Sequence, residues 1–320
     1  MACGHGIWLF IGCAALAVAP AASARESAPA PAPTAAGAAS PDQAPAPAPT
    51  PPKAAPRTIL FIGNSFTQGA HSAARNWRAD SVTDLNGAGY GGVPALFKLF
   101  TEQAGLDYQV SLETQGGKSL GFHYDERRQL FDRPWDVVVL QEFSTLDRDR
   151  PGDPAQYIQD VARLSALFMA RNPAVDIRLS ANWTRADQVY RNKGPWHGKP
   201  VTAMADDLRA AADRARAANP EVKGVLPVGQ AWNRAMTTGV ADPDPYDGIA
   251  YGQLDLWTYD HYHASVPGYY LSALVAFGAI TGIDPATLGP QEKGADELGL
   301  SDAQAAALQK VASAELRARR

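Results

Sequence analysis

The sequence predicts an α/β protein built on a doubly wound parallel sheet with helices on both faces. Five short runs rich in Val, Ile and Leu recur along the chain, segments of helical period separate them, and no second composition break follows residue 57. Runs that are apolar at consecutive positions fit strands covered on both sides. Strand, helix, strand in repetition gives parallel order.

The strand-like runs are, in order, "TILFIG" (58–63), "DYQVSLET" (107–114), "WDVVVLQ" (135–141), "VDIRLSA" (175–181) and "VKGVLPV" (222–228). The helical segment after the first run, "VPALFKLFTEQAG", carries Pro94 near its start and Gly105 at its end. Two later ones are stopped by Pro173 and Pro220, and an apolar helix runs from Val266 to Ile280 with Pro267 in its first turn. The C-terminal "SDAQAAALQKVASAELRARR" reads as a capped amphipathic helix whose basic end complements the helix dipole.

Two segments precede this domain of residues 57–320. Residues 1–24 hold the apolar run "GIWLFIGCAALAVA" and an A-x-A site before Arg25, the pattern of a secretory signal cleaved after Ala24. The leader lacks Lys and Arg ahead of that run, so an uncleaved anchor is the alternative. Residues 25–56 are nearly all Ala and Pro and form an extended, semi-rigid linker, a tether to the envelope. A secreted or periplasmic protein is expected. Cys3 and Cys13 both lie in the leader, which leaves the exported chain without a disulfide or a thiol nucleophile. With a formal net charge of -4 and no basic block, nothing marks the chain as a nucleic-acid binder.

Candidate chemistry gathers at two places. Ser65 follows the first strand, at the sheet edge where doubly wound folds bind ligands, and Gly63 lets the chain turn sharply before it. At the far end, "DHYH" puts Asp260 and His263 just ahead of the apolar helix. A D-x-x-H spacing on a tight turn lets the carboxylate accept from Nδ1–H and frees Nε2 to take a proton. Serine, histidine and aspartate are the parts of an activated hydroxyl nucleophile.

The sequence resembles the SGNH (GDSL-like) hydrolase superfamily over most of Arg57 to Gly282, in a divergent branch marked by "GNSFT", "VVLQE" and D-x-x-H. The resemblance implies a three-layer, flavodoxin-like fold with Ser65 as nucleophile, His263 as base and Asp260 as its orienting acid. Asn64 stands where the family has aspartate, and is a candidate substrate contact. The implied oxyanion hole comprises the N–H groups of Ser65 and Gly117, with Gly116 as the alternative to the latter. The family's G-x-N-D is absent; Gln141 is the expected third donor and Ser144 the alternative.

The expected activity is hydrolysis of a carboxylic ester through an acyl-serine, with no cofactor. The six histidines show no metal-ligand spacing, so no metal is expected. Two insertions mix Trp77, Tyr90, Trp183, Tyr190 and Trp196 with Asn, Asp and Arg, a combination that suits sugar rings. Trp183 and Trp196 are the named candidate substrate contacts, and an acylated carbohydrate or another small ester is the expected partner. A lysophospholipase or thioesterase-like lipid hydrolase is the second enzymatic reading. A glycan-binding protein with a vestigial site is the third.

Overall fold

The computed structural model describes residues 55–318. The expected signal peptide and all but the last two residues of the expected linker lie outside the described residues. Among the described residues, no helix is long and apolar enough to cross a membrane.

Among the described residues, six parallel strands form one sheet in the order β2-β3-β1-β4-β5-β6. Their spans are β1 Arg57–Gly63, β2 Thr83–Asp84, β3 Tyr108–Thr114, β4 Val137–Gln141, β5 Asp176–Ser180 and β6 Val222–Leu226. The longer helices are α1 Gly92–Gln103, α2 Ala155–Arg171, α3 Ala203–Ala218, α4 Val228–Thr237, α5 Val266–Thr281 and α6 Asp302–Ala318.

Strand β1 shows why the predicted runs are apolar throughout. It lies between β3 and β4, with Ile59 level with Val110 on one side and Val137 on the other. Ile59 and Phe61 enter a core shared with α1, α4, α5 and α6, while Leu60 and Ile62 enter a second core with α2 and α3. Each face of the strand thus meets a helical layer, and no position on β1 beyond its first two residues is left to solvent.

Two elements differ from the sequence expectation. Strand β2 is a two-residue edge strand, paired with β3 through Ser111 and Leu112, and is too short to carry a periodic signal. The fifth predicted run ends early: β6 stops at Leu226, Pro227 ends the strand, and α4 starts at Val228. Proline lacks the N–H a ladder needs and fits ahead of a helix.

From β1 the chain runs out to the edge strand β2, returns to β3 on the same side of β1, and then crosses to β4 on the other side. The carboxyl end of β1 is therefore the point where the strand order reverses, the place where doubly wound sheets bind their ligands. Ser65 stands at that point.

Candidate active site

Past β1 the backbone folds into a tight elbow. The N–H groups of Thr67 and Gln68 both donate to Asn64 O, at 3.0 and 3.1 Å, and Ala70 N–H donates to Ser65 O at 3.1 Å. Gly63 serves the elbow differently from the sequence expectation. Its φ is not left-handed; instead, a Cβ there would lie 2.4 Å from Thr67 Oγ1 and 2.5 Å from Gln141 Oε1. Glycine makes room for the Gln141 side chain.

Ser65, His263 and Asp260 meet in one hydrogen-bonded line. His263 Nε2 is 2.8 Å from Ser65 Oγ, and His263 Nδ1 is 2.6 Å from Asp260 Oδ2. The other carboxylate oxygen of Asp260 accepts the backbone N–H groups of Tyr262 and His263 at 3.0 and 2.9 Å. His261, inside this turn, takes a left-handed backbone with φ 52°. Ser265 then caps α5, accepting Gly268 N–H. Burial pulls the Asp260 carboxyl upward, but the bonds from the His263 side chain and the two backbone N–H groups outweigh it and bring the carboxyl down to about 2. Asp260 is therefore charged at neutral pH and holds the imidazole tautomer that leaves Nε2 facing the serine.

Helix α5 braces the elbow as well. Tyr269 is fully buried and its hydroxyl donates to Ser65 O and Ala70 O, at 3.2 and 3.0 Å. Sequence reading missed this tyrosine, because its pattern position marks it only as core.

Among the described residues, neither Ser65 N–H nor Gly117 N–H has a hydrogen-bond partner. Gly117 sits in the turn after β3 with φ 68°, a conformation that favours glycine. The turn is tied to the elbow by Asn64, whose Nδ2 donates to Lys118 O at 3.1 Å and Glu142 O at 3.4 Å while Oδ1 accepts Phe66 N–H. With 2% of its surface exposed, Asn64 locks the elbow in place and is not a substrate contact.

The structure corrects the third expected donor. Gln141 Oε1 accepts Asn64 N–H and Thr67 Oγ1–H, each at 2.9 Å, and its amide Nε2 donates to Glu142 O. Both ends of the carboxamide are spent inside the protein. The alternative, Ser144, is also engaged, sharing a hydrogen bond with the Tyr262 hydroxyl at 3.3 Å and accepting from Arg185.

The aromatic expectation is corrected too. Trp183 and Trp196 are 2% and 1% exposed. Trp183 stacks between Phe66 and Trp232, with ring centroids at 4.1 and 4.8 Å, and Trp196 donates its indole N–H to Asp207. Neither reaches the cleft. Its rim is instead formed by Tyr259, 74% exposed, whose hydroxyl is 2.6 Å from His71 Nδ1. The His71 ring lies 4.4 Å from that of His263 and Tyr262 lies 4.1 Å from it on another side. Partial burial and the neighbouring His263 lower the His71 pKa against the pull of Asp260. One ligand atom from each of His71, Asp260 and His263 lies within 4.8 Å of the others, a grouping that sequence spacing does not reveal because His71 is far from the other two.

No family model matches the chain, and no curated protein matches it. Solved structures do. A DUF4886 family protein from Bacteroides uniformis aligns over 82% of this chain and 95% of its own, with 18% identity and a TM-score of 0.59. A member of the lipolytic G-D-S-L family from Veillonella parvula aligns over 71% and 100%, with 13% identity and a TM-score of 0.46. A two-domain esterase active on acetylated mannans aligns over 71% and 49%, with 15% identity and a TM-score of 0.46. With the DUF4886 family protein the chain shares its fold, a parallel sheet with helices on both faces.

Proposed function

We propose that this chain is a serine esterase that hydrolyses carboxylic esters through an acyl-enzyme, with an acylated carbohydrate as substrate. The observation that carries the proposal is the line from Ser65 Oγ through His263 to Asp260, at 2.8 and 2.6 Å. Ser65 Oγ attacks the ester carbonyl carbon while its proton passes to His263 Nε2. The tetrahedral oxygen takes the two partnerless N–H groups, of Ser65 and Gly117. Collapse expels the alcohol, which receives the proton from His263. Water then attacks the acyl-serine, gives its proton to Nε2, and releases the acid as Ser65 regains its hydrogen.

The carbohydrate reading is favoured over a lipid hydrolase by what surrounds the site. Tyr259 and His71 present a flat, exposed aromatic and polar edge beside His263. Among the described residues, Leu146 is the one aliphatic side chain that lines the groove beside Gly117. An intact relay argues against a binding protein with a vestigial site, because nothing else requires all three groups in register. Export through the expected signal and Pro/Ala tether belongs to the same proposal, since it brings the enzyme to polysaccharides of the envelope or outside it.

Hydrolysis of p-nitrophenyl acetate and butyrate, and acetate release from acetylated xylan, test the proposal with the domain from Arg57 onward and its Ser65→Ala variant. Acetate release that vanishes with Ser65 is the expected result. Activity confined to long-chain esters would overturn the carbohydrate assignment, and no Ser65-dependent hydrolysis would overturn the esterase.

A further inference from the structure

Beside Gly117, between the exit of β3 and the loop after β4, lies a groove of about 390 Å³ lined by Lys118, Arg148, Phe122 and Phe143 among others. Its two cations are held in place. Lys118 Nζ sits 4.8 Å from the centroid of the Phe122 ring, and the Arg148 guanidinium carbon sits 4.9 Å from that of Phe143. Arg148 Nη2 also donates to Gly117 O at 2.8 Å.

Neither cation has a carboxylate partner among the described residues, whereas most of the arginines on this net-acidic chain that meet a carboxylate are bound tightly to it. Two acids line the same groove. Asp147 is committed: the backbone N–H and guanidinium of Arg150 hold its carboxyl below the usual range. Asp149 remains, so two ordered cations face one uncommitted carboxylate.

The groove is coupled to the nucleophile through one residue. Lys118 O accepts the side chain of Asn64, which immediately precedes Ser65. A ligand seated between Lys118 and Arg148 thus lies beside the proposed oxyanion site.

We propose that this groove binds the carboxylate of an acylated uronic-acid polymer and presents a neighbouring ester to Ser65; the inference rests on the esterase reading above. The guanidinium offers a planar fork matched to a carboxylate, the ammonium adds a point charge, and the two phenyl faces suit the apolar faces of sugar rings.

Calorimetric titration of the Ser65→Ala protein with oligogalacturonate and with neutral xylo-oligosaccharide tests this without turnover. Oligogalacturonate should bind at least tenfold more tightly, and its affinity should fall with added salt. Lys118→Gln and Arg148→Gln should each weaken it about tenfold, the scale of a charge-assisted hydrogen bond, while Lys118→Arg restores it. Equal affinity for the neutral oligomer, or uronate binding that survives loss of both cations, overturns the proposal. Uronate binding by a wild-type protein that hydrolyses no ester upholds the groove and overturns the esterase, so the two failures are told apart.

Discussion

The side-chain oxygen of Gln141 lies 2.9 Å from the backbone nitrogen of Asn64, the residue that delivers Ser65. The same oxygen accepts Thr67 Oγ1–H, and only the missing Cβ of Gly63 gives it space. Gln141 is thus a strut between β4 and the elbow.

Removing the strut should cost stability and turnover together. Gln141→Ala leaves two buried donors without an acceptor, at about 1–3 kcal/mol each. Thermal unfolding should show a clear fall in Tm, and kcat should drop as the serine loses its register. A kcat loss on the order of a hundredfold with no change in Tm would instead identify Gln141 as an oxyanion donor.

Asp260 orients His263 through a carboxylate that also accepts two backbone N–H groups. Asp260→Asn keeps the shape of the turn but supplies an N–H₂ where Nδ1–H needs an acceptor. The imidazole then favours the tautomer with its proton toward Ser65, and kcat should fall on the order of 10³- to 10⁴-fold with a small change in KM. A loss below about tenfold would show that His263 is held correctly without the acid.

Burial raises the Glu142 carboxyl to about 8, against the opposing N–H groups of Phe143 and Leu120. In the unfolded chain this group loses its proton near 4.5, so between the two values the folded state holds the extra proton. Unfolding free energy therefore falls as pH rises through this window and levels off above about pH 8. Glu142→Gln is neutral throughout. Its stability relative to the parent should grow by an amount on the order of a few kcal/mol from pH 5 to pH 8. Parallel Tm curves against pH for the two proteins would show that Glu142 is already ionised within the fold.

Local signals account for most of what the sequence revealed. Each long strand of the sheet is covered by helices on at least one face and leaves an apolar run, and a D-x-x-H turn brings Asp260 and His263 together within four residues whatever the rest of the chain does. Gln141 was recognisable as an amide at the end of β4, but the direction of that amide depends on a partner 77 residues away and on an absent Cβ. The same holds for His71, which meets Tyr259 across 188 residues. Strand β2 is two residues long, and no periodicity can mark so short an element.

Trp183 and Tyr259 put the carbohydrate reading to a sharper test, because the loop position of Trp183 suggested a substrate contact and its burial denies one. Its ring is sandwiched by Phe66 and Trp232, and its N–H donates to Tyr262 O at 3.2 Å. Trp183→Ala should therefore cost about 3–5 kcal/mol of stability, as a buried aromatic truncated to a cavity does. Tyr259 is 74% exposed and contributes little to the core, so Tyr259→Ala should leave Tm nearly unchanged. What it should change is KM: a severalfold increase on acetylated polysaccharide, with kcat on p-nitrophenyl acetate close to the parent, because a stacking face binds the sugar and not the acetyl group. Equal KM for the polymer in parent and variant would remove Tyr259 from the substrate edge and leave the groove beside Gly117 to hold the polymer alone.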